Sequence, residues 1–162
     1  MMAAMRQRLG EVYDELAPSV MGYFRSRGSR DVEAACGDVF VSVASGLDAF
    51  RGDRAALRRW VFTIAHHRLV DELRSARRQR EIATDVLPER GSTEGHEPID
   101  AELVEALGHL TDEQREVVVL RYVADLSIRD VAKILGKRSS AVKMLQARGL
   151  DELRARLSGG ES

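Results

Sequence analysis

The sequence predicts an all-α protein of two small helical domains joined by a flexible acidic linker, with a helix-turn-helix in the C-terminal one. Three observations predict it. Apolar residues recur at three-to-four spacing over long stretches on both sides of a central break. Pro is scarce at 3 residues, aromatics make up 5%, and the 44% apolar content is mostly Leu, Val, Ile and Ala, a mix that favours helices over a β-sandwich. The break itself, Asp85 to Asp100 (DVLPERGSTEGHEPID), carries Pro88, Gly91, Ser92, Gly95 and Pro98 and no apolar periodicity. A chain of 162 residues holds one ordinary domain or two small ones. The break divides it into 1–82, a linker at 83–100, and 101–162.

In the first lobe, Leu9, Tyr13, Leu16, Val20 and the Tyr23/Phe24 pair line one helix face. Gly28 closes that helix and Ser29 or Asp31 opens the next, whose inner face carries Val32, Ala35, Val39, Phe40, Val43 and Leu47. Phe50 to Asp53, FRGD, forms a short loop. A third helix then runs from about Arg54 to Arg80 with Leu57, Val61, Ile64, Ala65, Leu69 and Leu73 inward. The second lobe starts near Ile99, with Leu103, Leu107 and Leu110 on a short helix. Thr111, with Gln114 three residues on, makes a capping box for a helix from Asp112 to Val123 that buries Val117, Val118, Leu120 and the stem of Arg121. Ser127 caps a helix bearing Val131, Ala132 and Leu135, and Gly136 suits the left-handed position past its end. Ser139 or Ser140 caps the last helix, whose Val142, Leu145, Leu150 and Leu153 face inward.

Several function classes are poorly served by this chain. Its single cysteine, Cys36, permits no internal disulfide and reads as a small buried apolar residue. Arg or Asp interrupts every apolar run before membrane length, and no signal-like core opens the chain, so the expected address is the cytoplasm without membrane insertion. Of the histidines His66, His67, His96 and His109, the adjacent pair points to different sides of a helix and makes no metal pair. No Ser/His/Asp spacing, phosphate-binding glycine loop or HExxH is present. An enzyme is therefore not expected, and neither a cofactor nor a metal is called for.

The net charge of −1 conceals a segregation. Between residues 51 and 80 stand Arg51, Arg54, Arg58, Arg59, Arg68, Arg74, Arg77, Arg78 and Arg80, against Asp53, Asp71 and Glu72. The same helix bears Trp60, Phe62, His66 and His67. Arginines hold phosphates and flat rings stack on unpaired bases, as a strand-separated DNA site requires. The other reading is a solvated helix with a structural tryptophan. The linker is opposite in sign, with Asp85, Glu89, Glu94, Glu97 and Asp100 against Arg90, and reads either as a filler of a basic channel or as a plain tether.

The last lobe reads as helix, tight turn, helix, the layout that places its final helix in the DNA major groove. Ser139 and Ser140 leave free N–H groups at a helix start, and Lys137 and Arg138 in the turn reach toward phosphates. Lys143, Met144, Ala147 and Arg148 share an outer face, where the cations suit guanine edges and Met144 or Ala147 a thymine methyl. An ordinary helical hairpin with charged faces is the alternative.

Taken together, FRGDRAALRRWVFTIAHHRLVDELRSARR and LTDEQREVVVLRYVADLSIRDVAKILGKRSSAVKMLQARGLDELR resemble, over nearly the whole chain, the extracytoplasmic-function (group IV) sigma factors of bacterial RNA polymerase. The resemblance implies that Phe50, Arg51, Gly52 and Asp53 form a pocket for a flipped base of the −10 promoter element. Arg58, Arg59, Trp60, Thr63, His66, His67 and Arg74 would belong to the same surface. It assigns Lys137, Arg138, Ser139, Ser140, Lys143, Met144, Ala147 and Arg148 to the −35 element. Segment 31–47, with Asp31, Asp38, Val39 and Phe40, would dock on the polymerase β′ clamp helices, with the β flap a further contact, and the linker would thread the RNA path. Promoter DNA and an anti-sigma factor are implied partners, with nucleoid association when active. Two departures stand out. Ala34, Ala35 and Gly37 occupy positions where the family commonly shows Asp, Leu and Gln, and His66–His67 replaces an Arg-Asn pair. A degenerate, interaction-only relative and an ordinary helix-turn-helix regulator are the rival readings.

Overall fold

The structure, a computed structural model, describes residues 2–82 and 101–159. The linker expected at 83–100 lies outside the described residues, as does the expected start at Ile99. Seven α-helices are present among the described residues: α1 (Met2–Ser26), α2 (Val32–Gly46), α3 (Arg54–Ile82), α4 (Ala101–Gly108), α5 (Asp112–Val118), α6 (Ile128–Leu135) and α7 (Ser139–Gly159).

Helices α1, α2 and α3 pack together around Leu16, Val20, Phe24, Val39, Val43, Val61, Phe62 and Leu69. Pro18 sits inside α1 on its exposed side, so the backbone bond it cannot donate faces water. Gly28 takes the left-handed conformation (φ 74°) that ends α1, and the Asp31 side chain accepts from Ala34 N at 3.0 Å to start α2. Cys36 is buried, and burial raises its thiol to about 11, which keeps it protonated. Two residues expected to face inward do not. Leu73 is 38% exposed because α3 runs on beyond the bundle, and Tyr13 keeps 41% exposure while its ring meets Phe40 edge-on at 4.9 Å.

In the second lobe α7 lies along α5 and also packs on α4 and α6. The capping box forms: Gln114 N donates to Thr111 Oγ1, and Thr111 N donates to Gln114 Oε1, both at 3.2 Å. The helix expected to continue to Val123 changes register instead. After Val118 one π-helical turn, Val119–Val123, follows, and Ala124 N donates to Val119 O at 3.0 Å, five residues back. The wider turn ends at Asp125, held in the left-handed region at φ 56°, and Leu126 N closes on Leu120 O at 3.2 Å. Arg121 Nη1 donates to Leu126 O at 3.1 Å, spanning the same bend. The Ser127 side chain caps α6, and Gly136 at φ 64° reverses the chain as expected. The serine cap of α7 does not form. Val142 N donates to Arg138 O, so the helix opens at Ser139 and the two serines occupy its first positions.

The two lobes are packed against each other. Helix α1 meets the π-helical turn, α3 meets α6, and the buried apolar residues of both lobes make one continuous cluster. No helix among the described residues is long and apolar enough to cross a membrane.

Gly149 marks a close approach of α7 to α5: a Cβ there would lie 2.7 Å from Val118 Cγ2. Gly149→Ala is expected to lower stability by about 1 kcal/mol or more in urea titration, despite its better helix propensity. Gly10→Ala, on an open stretch of α1 with nothing within 4 Å, is expected to raise it. A stabilising Gly149→Ala would show that the two helices do not meet so closely.

Candidate nucleic-acid interface

The loop between α2 and α3 is built around one aromatic pair. Phe50 and Trp60 stack with centroids 5.0 Å apart and planes 18° from parallel. Gly52, at φ 155°, turns the chain where a Cβ would lie 3.0 Å from the Phe50 ring and 2.9 Å from Ala56 Cβ. Asp53 Oδ1 accepts from Ala56 N at 2.8 Å and so caps α3. Arg51 is exposed but folds back, donating through Nη1 to Phe50 O and Asp48 O at 2.9 and 3.0 Å. Arg54 pairs with Glu15 of α1.

The arginines of α3 divide between inner and outer roles. Arg58 lies over the Phe62 ring, donates through Nε to Ala124 O at 2.6 Å, and through Nη2 to Ser19 Oγ at 3.2 Å. Arg59 Nη1 pairs with Asp130 of α6 at 3.1 Å. Both therefore bind the other lobe in this arrangement. Arg74 is exposed. Thr63 Oγ1 donates to Arg59 O at 2.7 Å, within its own helix. Phe62 is fully buried and meets Tyr23 edge-on at 5.8 Å, so the ring that the composition offered for base stacking belongs to the core.

His66 and His67 diverge as expected: His67 is exposed and His66 is half-buried, its Nδ1 3.4 Å from the Tyr23 hydroxyl. Burial first, then the neighbouring His67 and Arg27 charges, hold His66 down to about 4, a neutral imidazole. Burial likewise raises Tyr23 well above the phenol range, so its O–H stays a donor.

On the second lobe the proposed reading face stands clear. Lys143, Ala147 and Arg148 are exposed, Met144 is 53% exposed, and Val142 and Leu153 turn the opposite side of α7 into the core. Arg138, Ser139 and Ser140 are exposed at the helix start, where the first N–H groups have no partner within the helix. Lys137 is half-buried, 3.6 Å from Glu113.

The segment expected to dock on a partner is split by burial. Asp31 is the α2 cap, and Val39 and Phe40 are buried in the bundle, so their side chains are packing residues in this arrangement. Asp38 stays outside, accepting from Arg68 Nε at 2.9 Å. What α2 offers to solvent is Glu33, Ala34, Gly37, Asp38, Val41, Ser42 and Ser45, with Val41 68% exposed.

Residues 12–79 match the sigma-70 region 2 model and residues 106–155 the sigma-70 region 4 model. The ECF RNA polymerase sigma factor ShbA of Streptomyces griseus is 30% identical over 156 residues, covering 85% of this chain and 81% of that protein. The chain belongs to the ECF sigma factors. The ECF sigma factor BldN of Streptomyces coelicolor is 28% identical over 154 residues, covering 89% of this chain but only 58% of BldN's length. Among solved structures, the sigma factor RpoE in complex with the anti-sigma factor NepR from Bartonella quintana shares the fold, with a TM-score of 0.79 at 22% identity over 94% of this chain and 98% of that one.

Within this sigma factor, sequence reasoning missed two residues. Gly46 lets Trp60 lie against α2, since a Cβ there would sit 2.7 Å from the indole Cζ2. An isolated glycine in a helical pattern is the signal it left. Val41 falls off the apolar stripe of its own helix, which marks it as an exposed hydrophobic residue.

The state of His66 predicts a pH dependence. Between its folded value of about 4 and the ordinary 6.5, the unfolded chain holds a proton that the folded chain does not. His66 therefore lowers stability as pH falls from 6.5 to 4, and its effect vanishes above that window. Urea midpoints across this range should decline less steeply for His66→Gln. Parallel slopes would assign the decline to other groups.

Proposed function

We propose that this chain is a promoter-specificity subunit that binds bacterial core RNA polymerase and directs it to particular promoters, reading a −35 element with α7 and opening a −10 element with α3 and the preceding loop. The observation that carries the reading is the outer face of α7, where Lys143, Met144, Ala147 and Arg148 are all exposed beyond a helix start with unpaired N–H groups. The sequence matches to regions 2 and 4 support it on both lobes. The chain is an initiation factor and not an enzyme.

On the −10 side, the stacked Phe50–Trp60 pair and the Gly52 turn form a fixed aromatic edge at the start of a basic helix. A base leaving the duplex loses a few kcal/mol of stacking and pairing. A pocket at this edge, together with phosphate contacts from Arg51, Arg74 and the released Arg58 and Arg59, offsets that loss. Core polymerase docks its clamp helices on the exposed α2 stripe, Val41 included, and its flap on the second lobe. An anti-sigma factor, the class of partner bound to RpoE in the solved relative, is the expected antagonist. The protein works in the cytoplasm, on the nucleoid when active.

A second reading rests on α2. Ala34 and Gly37 give this stripe no side chain to grip a partner, as in an interaction protein that binds polymerase or an antagonist without opening promoters.

Transcription with purified core polymerase and a genomic promoter library separates them. Transcripts sharing two spaced motifs are expected; binding to core without initiation at any promoter would leave only the second reading. The double variant Lys143→Ala/Arg148→Ala should lose about 1–3 kcal/mol of −35 discrimination per lost base contact while keeping its affinity for core. Val41→Asp should do the reverse, weakening core binding with the helical content unchanged.

A further inference from the structure

A recess of about 480 Å³ lies where the two lobes meet, outside both proposed DNA-reading faces. It is lined by Arg27 of the first-lobe junction, Leu73, Arg77, Arg80 and Glu81 of α3, and Asp112 and Arg115 of α5. Four guanidinium groups thus converge on two carboxylates. Arg77 and Arg80 are exposed and make no hydrogen bond or ion pair among the described residues.

The buried member of the set is the most informative. The Arg27 side chain is only 3% exposed, yet its contacts are long: Nη2 to Glu116 Oε1 at 3.8 Å and Nη1 to Asp112 O at 3.5 Å. Its Nε has no partner at all among the described residues. A guanidinium carries five N–H donors, and leaving them unmet away from water is unfavourable by several kcal/mol. Arg115 is tied back by Nε to Leu107 O at 2.9 Å and by Nη2 to Gly108 O and Leu110 O at 3.3 and 3.2 Å. Its charge is disfavoured by burial and then by Arg27. Asp112, 3.8 Å from Arg115, and Glu116, behind Arg27, answer only part of this positive charge.

We infer that the recess is an anion site for a small phosphorylated molecule, its diphosphate group placed between Arg27 and Arg115 on the inside and Arg77 and Arg80 on the rim. Phosphate oxygens match the guanidinium fork and carry the charge the site lacks. The volume falls in the range of small-molecule sites and admits a nucleotide-sized ligand, with Leu73 as its apolar wall. Because Arg27, Arg77 and Arg80 come from one lobe and Arg115 from the other, a bound anion favours the joined arrangement of the two.

The test uses the full chain and titrates sodium pyrophosphate and, separately, ADP at constant ionic strength, read by calorimetry and by the thermal midpoint. Saturable binding and a raised midpoint are expected. Arg77→Ala/Arg80→Ala, both at exposed positions, should weaken binding by about tenfold or more, while Arg6→Ala, exposed at the opposite end of α1 from Arg27, should leave it unchanged. A duplex of arbitrary sequence is titrated in parallel. The proposal is overturned if millimolar pyrophosphate does not bind, or if all variants bind it equally, which marks an adventitious ion only. It also fails if only the duplex responds to Arg77→Ala/Arg80→Ala, since the recess would then be a DNA-backbone contact. None of these readouts depends on promoter recognition, so they stand apart from the fate of the sigma assignment.

Discussion

Arg58 is the side chain on which the arrangement of this molecule turns. It leaves α3 over the Phe62 ring and donates to Ser19 of α1 and to the carbonyl of Ala124, the residue that follows the π-helical turn. That carbonyl faces outward from the end of α5 because the five-residue turn has carried the backbone out of α-helical register. A regular helix through Val123 would have kept its last carbonyls on the helix axis. The π turn, the left-handed Asp125 and the Arg121 bond to Leu126 therefore do two things at once. They bend the chain into the helix-turn-helix, and they present an acceptor to the first lobe. Around that point the contact of α1 with the Val119–Val123 turn closes the apolar cluster shared by both lobes. A charge-assisted bond of this kind contributes about 1.5–3 kcal/mol, while the apolar burial beside it supplies the larger, non-directional part. The bond sets the register and the apolar surface supplies the adhesion.

Much of this was legible in the chain. Local signals with a single physical solution were read correctly: the Thr111–Gln114 capping box, the Ser127 cap, the helix-closing Gly28, the left-handed Gly136, and the apolar stripes of the first-lobe helices apart from Tyr13 and Leu73. What sequence could not convey were features that depend on what lies opposite. Leu73 satisfies the helical period of α3, but it opens on the recess between the lobes instead of a packed core and stays 38% exposed. Val39 and Phe40 sit on the inner face that periodicity already gives, and their burial leaves Asp38, of the docking residues the resemblance implied, as the one on the outer side of α2. The π turn has no sequence mark in Val119–Val123, because a run of apolar residues suits either register. Ser139 and Ser140 are good cap residues by type, yet the Gly136 reversal places the helix start one residue earlier than either could serve.

The proposed site divides in the same way. The α7 face was readable because exposure there follows from periodicity alone: Val142 and Leu153 fix the buried side, and Lys143, Met144, Ala147 and Arg148 must take the other. The α3 face was not, because composition counts arginines without saying where they reach. Of the aromatic residues on that helix, Trp60 stacks at the loop with Phe50, whereas Phe62, two positions later, is turned by about 200° around the helix into the core.

Arg58 and Arg59 carry a consequence for how the proposed −10 surface is used. Each guanidinium edge donates to one acceptor at a time, and in the joined arrangement those edges are given to Ala124 and Asp130. Engaging DNA phosphates with the same groups means exchanging these bonds, and the exchange is nearly balanced. Arg59 pairs with Asp130 while a third of its side chain remains in water, a setting in which an ion pair is worth about 0–1 kcal/mol. A phosphate replaces the carboxylate with an equally good acceptor, and Asp130 is returned to solvent at little penalty. Arg58 gives up a neutral carbonyl for a charged oxygen, which is favourable. The resistance to opening therefore lies in the apolar contact between α1 and the Val119–Val123 turn, which DNA cannot replace. It falls to a partner that covers the α1 surface, as docking on polymerase through the adjoining α2 would permit, to make the separated arrangement the stable one.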